Sequence, residues 1–233
     1  MDIVIDRLRK TYGGKTVLDL PHCEIHAGET VGIVGNNGAG KTTLFRLMLD
    51  MTKADNGAVT LDGTDVSSSE RWKDSVGAYL DESFLIDYLT PQEYFNLMAR
   101  LYGMPDEVME ARLGEYSGFL AGIDEVYIRD LSAGERQKVG IVASLLHVPS
   151  LVVMDEPFNF LDPSSQQSLV RLISRYRDEH PDSTIIISSH DIYHVTQVTT
   201  RLCLMEQGRI IRDMKPVNQN SIRELQQYFN IHT

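Results

Sequence analysis

The sequence predicts an α/β fold with a mainly parallel sheet, an antiparallel β region near the N-terminus and a helical insert. Three features of the chain predict it. The apolar run Thr30-Val31-Gly32-Ile33-Val34 leads into Gly35-Asn36-Asn37-Gly38-Ala39-Gly40-Lys41-Thr42, and Leu44, Phe45, Leu47 and Met48 then recur with helical spacing. Strand, glycine-rich loop and helix in that order is how a phosphate-binding loop is built. Leu151-Val152-Val153-Met154 is wholly apolar and Thr184-Ile185-Ile186-Ile187-Ser188-Ser189 has three isoleucines at its centre, as expected of parallel strands buried on both faces. Between residues 90 and 122, two helical patterns follow one another with no strand between them, which marks an insert in the strand–helix alternation.

The elements follow in order. Ile3, Ile5 and Leu8 oppose Asp2, Asp6 and Arg7 in a strand, and Thr16-Val17-Leu18 is its hairpin partner across the turn at Gly13-Gly14. Ala27-Gly28-Glu29 turns the chain into the strand that enters the glycine-rich loop. Residues 58–61 form a strand closed by Asp62-Gly63, and Val76 to Leu80 another. Thr90 caps a helix with Pro91 at its first position, where Tyr94, Leu97, Met98 and Leu101 share a face. A second helix runs from Met104-Pro105-Asp106 to about Leu120. Ser132 opens a helix towards His147, stopping before Pro149. Asp162-Pro163 starts the helix carrying Leu169, Leu172 and Ile173. Residues 201–206 and 209–211 read as a hairpin, and Ser221 to Phe229 as a last helix.

A chain of 233 residues suits one large α/β domain and buries an ample core without disulfide or metal staples. Its 22 basic and 33 acidic residues give a net charge of −11 with no Lys/Arg run, which argues against a nucleic-acid partner. Cys23 and Cys203 lie far apart, outside any metal-binding spacing, as thiols of a reducing compartment do. The first residues lack the basic and apolar regions of a signal peptide. No run approaches the roughly 20 apolar residues that span a bilayer. The expected location is the cytosol, or a membrane face where another chain does the spanning.

The residues with chemistry cluster by type. Glycines at 35, 38 and 40 let backbone N–H groups of Asn36, Asn37, Ala39 and their neighbours turn inward on phosphate oxygens, and the following helix adds its positive end. Lys41 can reach β- and γ-phosphates, the Thr42 hydroxyl can ligate Mg²⁺, and Thr43 follows. Asp155 and Glu156 stand directly after a buried strand, where parallel sheets place ligands. The first suits a metal ion held through water, and the second a water attacking the γ-phosphate. His190 ends the next strand at the same edge. Tyr12 is either a packing aromatic of a turn or a platform for a purine base.

Together these residues resemble the ATP-binding cassette (ABC) family of ATPases over about residues 2 to 214. Tyr12 resembles the adenine-stacking aromatic, Gly35 to Thr42 the Walker A loop, and Leu131-Ser132-Ala133-Gly134-Glu135 the family signature. Asp155 and Glu156 resemble the Walker B aspartate and catalytic glutamate, Leu161-Asp162 the D-loop, and His190 the switch histidine. The resemblance implies a P-loop NTPase core of RecA type with a β subdomain (1–89 and 123–214), a helical subdomain (90–122) and a tail (215–233). It also implies Mg²⁺-dependent ATP hydrolysis in a head-to-tail dimer, each ATP held by one copy's phosphate loop and the other's signature. Two positions depart from the pattern. Ala133 replaces a glycine, which would cost about 1 kcal/mol or more if that position needed φ > 0. Glu82, or Asp81 if the alignment slips by one, stands where a Mg²⁺-touching glutamine is usual.

The segment from Asp87 to Gly103 resembles the helical region of ATPases serving ABC-2-type exporters. The implied role is the energy-coupling subunit of a transporter, an exporter rather than an importer, with separate transmembrane permease chains, peripheral on the cytoplasmic face of the membrane. The rival is a soluble ABC ATPase of the iron–sulfur-assembly type. Chromosome-maintenance relatives are disfavoured, because only roughly ninety residues without sustained heptads separate Thr42 from Leu131.

Overall fold

The computed structural model describes residues 1–123 and 125–232, the side chains of 230–232 excepted. Asp124 and Thr233, inside the ranges 123–214 and 215–233 above, lie outside the described residues. β1 (Ile3–Tyr12) and β2 (Lys15–Ile25) pair antiparallel across the Gly13-Gly14 turn. β3 (Thr30–Val34) leaves for a second sheet, and α1 (Lys41–Met48) follows it. β4 (Asn56–Leu61) and β5 (Thr64–Asp65) return to the first, completing the antiparallel order β2-β1-β4-β5. The hairpin partner of β1 is thus longer than residues 16–18. Ile5 and Leu8 are both buried although three positions apart. The register with β4 shifts between Asp6 and Arg9, and Arg7 sits at φ 47. This bulge resets the alternation and turns Leu8 back to the core.

β6 (Val76–Tyr79) is followed by the insert, α2 (Pro91–Leu101) and α3 (Asp106–Tyr116). Thr90 and Glu93 form a full capping box at the start of α2. α3 stops at Tyr116 rather than near Leu120. Gly114 and Gly118 weaken the helix there, and the Ser117 hydroxyl donates back to the Gly114 carbonyl at 2.7 Å. α4 (Ala133–Leu145), β7 (Leu151–Met154), α5 (Pro163–Glu179) and β8 (Thr184–Ser189) restore the alternation. α6 (Ile192–Val198), β9 (Arg201–Glu206), β10 (Arg209–Met214) and α7 (Gln219–His232) complete the chain.

The second sheet has the order β10-β9-β3-β8-β7-β6, parallel from β9 to β6 with β10 antiparallel at its edge. The hairpin read at 201–211 therefore belongs to the main sheet, where β9 lies beside β3. Every residue of β3, β7 and β8 is buried, which is why they read as continuous apolar runs. One core fills the space between the two sheets around Phe45; the other lies between the parallel sheet and α2, α4 and α5. Truncating Phe45 to alanine would cost about 3–5 kcal/mol.

α4 sits directly on the sheet. A Cβ on Gly77 would fall 1.8 Å from the Ser144 carbonyl oxygen, and one on Gly140 would fall 2.5 Å from the Tyr79 ring. At the end of α2, Tyr102 stacks on His147 with ring centroids 3.5 Å apart and planes 3° apart. Burial lowers the His147 pKa to about 4. Among the described residues, no helix is long and apolar enough to cross a membrane.

Candidate active site

The carboxyl ends of β3, β7 and β8 open on one edge, where parallel sheets place their ligands. From β3 the chain enters the glycine-rich loop. A Cβ on Gly35 would lie 2.3 Å from the Met205 carbonyl oxygen, and Gly40, the N-cap of α1, is at φ 108. Only glycine fits the first, and the second is in the left-handed region. The loop is closed by Ala39 N–H donating to Asn36 O at 3.0 Å and Gly208 N–H donating to Ala39 O at 2.8 Å. Asn37 and Gly38 are exposed, and with Ala39, Gly40, Thr42 and Thr43 they line a cavity of about 280 Å³.

Lys41 lies across this loop with only 6% of its surface exposed. Its Nζ donates to Gly35 O at 2.6 Å and Asn36 O at 3.4 Å, and sits 3.0 Å from Glu156 Oε1. That last contact is an ion pair whose angle makes no hydrogen bond. The Thr42 hydroxyl donates to Asp155 Oδ2 and the Ser188 hydroxyl to Asp155 Oδ1. Ser188 Oγ also accepts from Glu156 N–H at 2.8 Å. Burial raises the Asp155 carboxyl pKa, while the hydrogen bonds from Ser188 and Thr42 pull it back.

Glu156 is held at φ 50, a sparsely populated conformation for a residue with a Cβ. That backbone turn brings one carboxylate to two cations or donors. Oε1 faces Lys41, and Oε2 accepts from His190 N–H at 3.1 Å and lies 2.9 Å from His190 Nδ1. Lys41, Thr42, Asp155, Glu156 and His190 therefore form one connected polar set drawn from three strand ends. Tyr12 stands apart from it. It is 48% exposed at the end of β1, with Lys10 Nζ 5.2 Å from its ring centroid.

The segment Leu131 to Glu135 is built as a helix start. Ser132 caps α4, with Glu135 N–H donating to Ser132 Oγ at 3.3 Å and Ser132 N–H donating to Glu135 Oε2 at 2.8 Å. These bonds lower the Glu135 carboxyl pKa. Ala133 is the first residue of α4 and does not adopt positive φ, so its Cβ carries none of the strain the sequence raised. Gly134 is the glycine that matters, since a Cβ there would lie 2.8 Å from the Phe160 carbonyl oxygen. None of Leu131 to Glu135 lines the phosphate-loop cavity. Asp162 turns its carboxylate onto its own helix, capping α5 with bonds from Ser164 and Ser165 that hold its pKa far below the usual carboxylate range.

A second cavity of about 350 Å³ adjoins the first, lined among others by Thr42, Glu82, Gln137, Asp155, Glu156 and Phe160. Glu82 lies there as expected, but its Oε2 is bound 2.6 Å from Arg136 Nε. Asp81 instead accepts from Ser83 N–H at 2.8 Å. Sequence reasoning missed Ser188, Arg136 and Gln137, the last a buried amide donating to the Pro157 carbonyl. A serine ending a strand of isoleucines was the available signal for the first. Nothing local announced the other two.

Residues 18–159 match the family described as ABC transporter. The chain is 28% identical over 221 residues to the lantibiotic transport ATP-binding protein SrtF of Streptococcus pyogenes, covering 95% of this chain and 94% of that one. It is 30% identical over 217 residues to the bacitracin transport ATP-binding protein BcrA of Enterococcus faecalis, covering 92% and 70%. Among solved structures, the fold is similar to the dimeric post-hydrolysis state of the ATP-binding cassette MJ0796 bound to ADP and Pi. The TM-score is 0.81 at 23% identity, covering 91% of this chain and 98% of that one.

Proposed function

The chain belongs to the ABC transporter family, and on that premise we propose that it is the ATP-hydrolysing subunit of a membrane exporter. The observation that carries the reading is the connected set Lys41, Thr42, Asp155, Glu156 and His190 at one sheet edge. The loop from Gly35 to Thr43 holds the phosphates through backbone N–H groups and the Lys41 charge. Thr42 and Asp155 present hard oxygen donors side by side, which fit Mg²⁺. Bound there, the ion would neutralise charge on the phosphates. Glu156 accepts the proton of the attacking water, and His190 orients that carboxylate through Nδ1. Tyr12 supplies a face for the adenine.

The remaining half of each site comes from a second copy, head to tail. The positive N-terminal end of α4, with Ser132 and Gly134, meets the partner's γ-phosphate, and Asp162 lies in the loop that crosses between copies. ATP is then a dimerising ligand and hydrolysis the release step. Separate permease chains anchor the pair at the cytoplasmic face of the membrane, with the helical segment 90–122 turned towards them. The test is a pull-down from native membranes with the full-length E156Q variant, ATP and Mg²⁺. A polytopic membrane protein in the eluate is the expected result; soluble scaffold proteins alone would move the assignment to the iron–sulfur-assembly type.

A further inference from the structure

We propose that Glu82 is a positioning residue that ties each copy's own nucleotide cavity to the signature segment it offers its partner. The inference rests on the dimer reading above. Glu82 lines the cavity that Thr42 and Asp155 also line, yet its carboxylate is engaged from the other side. Arg136 Nε lies 2.6 Å from Glu82 Oε2, and Arg136 Nη1 donates to the Leu131 carbonyl at 2.6 Å. Leu131 immediately precedes Ser132, the N-cap of α4, and Arg136 follows Glu135, the other half of the capping box. One planar guanidinium therefore braces both ends of the turn that presents Ser132.

A guanidinium holds two acceptors in fixed directions, which an ammonium does not. The charge-assisted bond to Glu82 sets the orientation of that fork and raises the Arg136 pKa further. A displacement of the Glu82 carboxylate in its own cavity thus reaches Leu131 and Ser132 through two hydrogen bonds with no other side chain between. Asp81 cannot take the same place, because its carboxylate is spent on the Ser83 N–H and hydroxyl.

The test uses the full-length chain in the E156Q background and reads two quantities. Sedimentation velocity gives the ATP concentration for half-dimerisation with Mg²⁺ present, and calorimetry gives the affinity of the isolated chain for Mg-ADP. E82A is expected to raise the half-dimerisation concentration at least tenfold while leaving Mg-ADP affinity within twofold. E82Q keeps an acceptor for Arg136 and should recover to within threefold. R136K should match E82A, and the double variant should add nothing, with melting curves establishing that each is folded. Loss of Mg-ADP affinity or a raised Mg²⁺ requirement in E82A would overturn the proposal in favour of direct metal ligation. Unchanged dimerisation would overturn it outright. If the E156Q parent itself stays monomeric in ATP, the dimer reading fails first.

Discussion

The phosphate-loop edge and the signature side of this molecule are both polar, but they are wired differently. At the first, Thr42 and Ser188 donate to Asp155, Lys41 donates to loop carbonyls and pairs by charge with Glu156, and Lys41 and Asp155 are nearly fully buried. At the second, Ser132 and Glu135 satisfy only the start of their own helix and stay open to solvent. A buried, internally paired network is a preorganised receptor, since its geometry is fixed before anything binds. On the dimer reading proposed above, an exposed helix start is a presented surface, completed by a partner. One chain thus carries a socket and a plug that do not meet within it.

The strongest way to break this contrast is to disable chemistry in the socket while leaving its binding role. E156Q should cut kcat by about 10²–10⁴-fold with nucleotide affinity retained, measured by steady-state hydrolysis beside equilibrium titration. A variant as fast as wild type would remove Glu156 from the role of base. K41A attacks binding instead. Removing one partner of a buried ion pair costs on the order of 2–5 kcal/mol, so Mg-ATP affinity should fall at least about thirtyfold. A plug-side change should be milder for the isolated chain. S132A removes a capping acceptor and should lower stability by about 1 kcal/mol in a denaturant titration, leaving Mg-ADP affinity untouched.

A pH-dependent effect concerns the joint between the insert and α4. The folded-state pKa of His147, about 4, lies below its ordinary value of 6.5. The unfolded chain therefore binds the extra proton, and the stability contributed by the neutral ring is lost as pH falls through 6.5 towards 4. H147F keeps a flat ring against Tyr102 and removes the titration. Its Tm relative to wild type should rise by about 5 °C between pH 7 and pH 5, and a pH-independent difference would show that His147 is not the group involved.

Much of the socket was legible because its signals are local. The glycine loop follows an apolar strand, Asp155-Glu156 closes another, and His190 ends a third, so strand ends alone predict one edge. The bulge at Arg7 was half visible, since Ile5 and Leu8 are out of step, but sequence does not say which residue absorbs the extra position. The Glu82–Arg136 bond was not legible at all. It joins positions 54 apart; Glu82 reads from the sequence as a carboxylate on the metal side, and nothing marks Arg136 as its partner. The concern over Ala133 came from pattern rather than conformation, and the helix geometry removes it.

The contact of Gly77 with the Ser144 carbonyl gives α4 the mechanics of a cantilever. Its carboxyl-terminal half is packed against β6 at Gly77 and again where Gly140 meets Tyr79, while its amino-terminal end is held by polar bonds alone, Arg136 to Glu82 and Gln137 to the Pro157 carbonyl. At 1.5 Å per residue, Ser132 lies about 18 Å from the Ser144 clamp, so a tilt of about 5° swings the tip by about 1.5 Å. That is half a hydrogen-bond length, a stroke that the bond from the buried Gln137 amide to the Pro157 carbonyl has to follow. Two missing methyl groups on the sheet side thus set the stroke available at the opposite end of the helix.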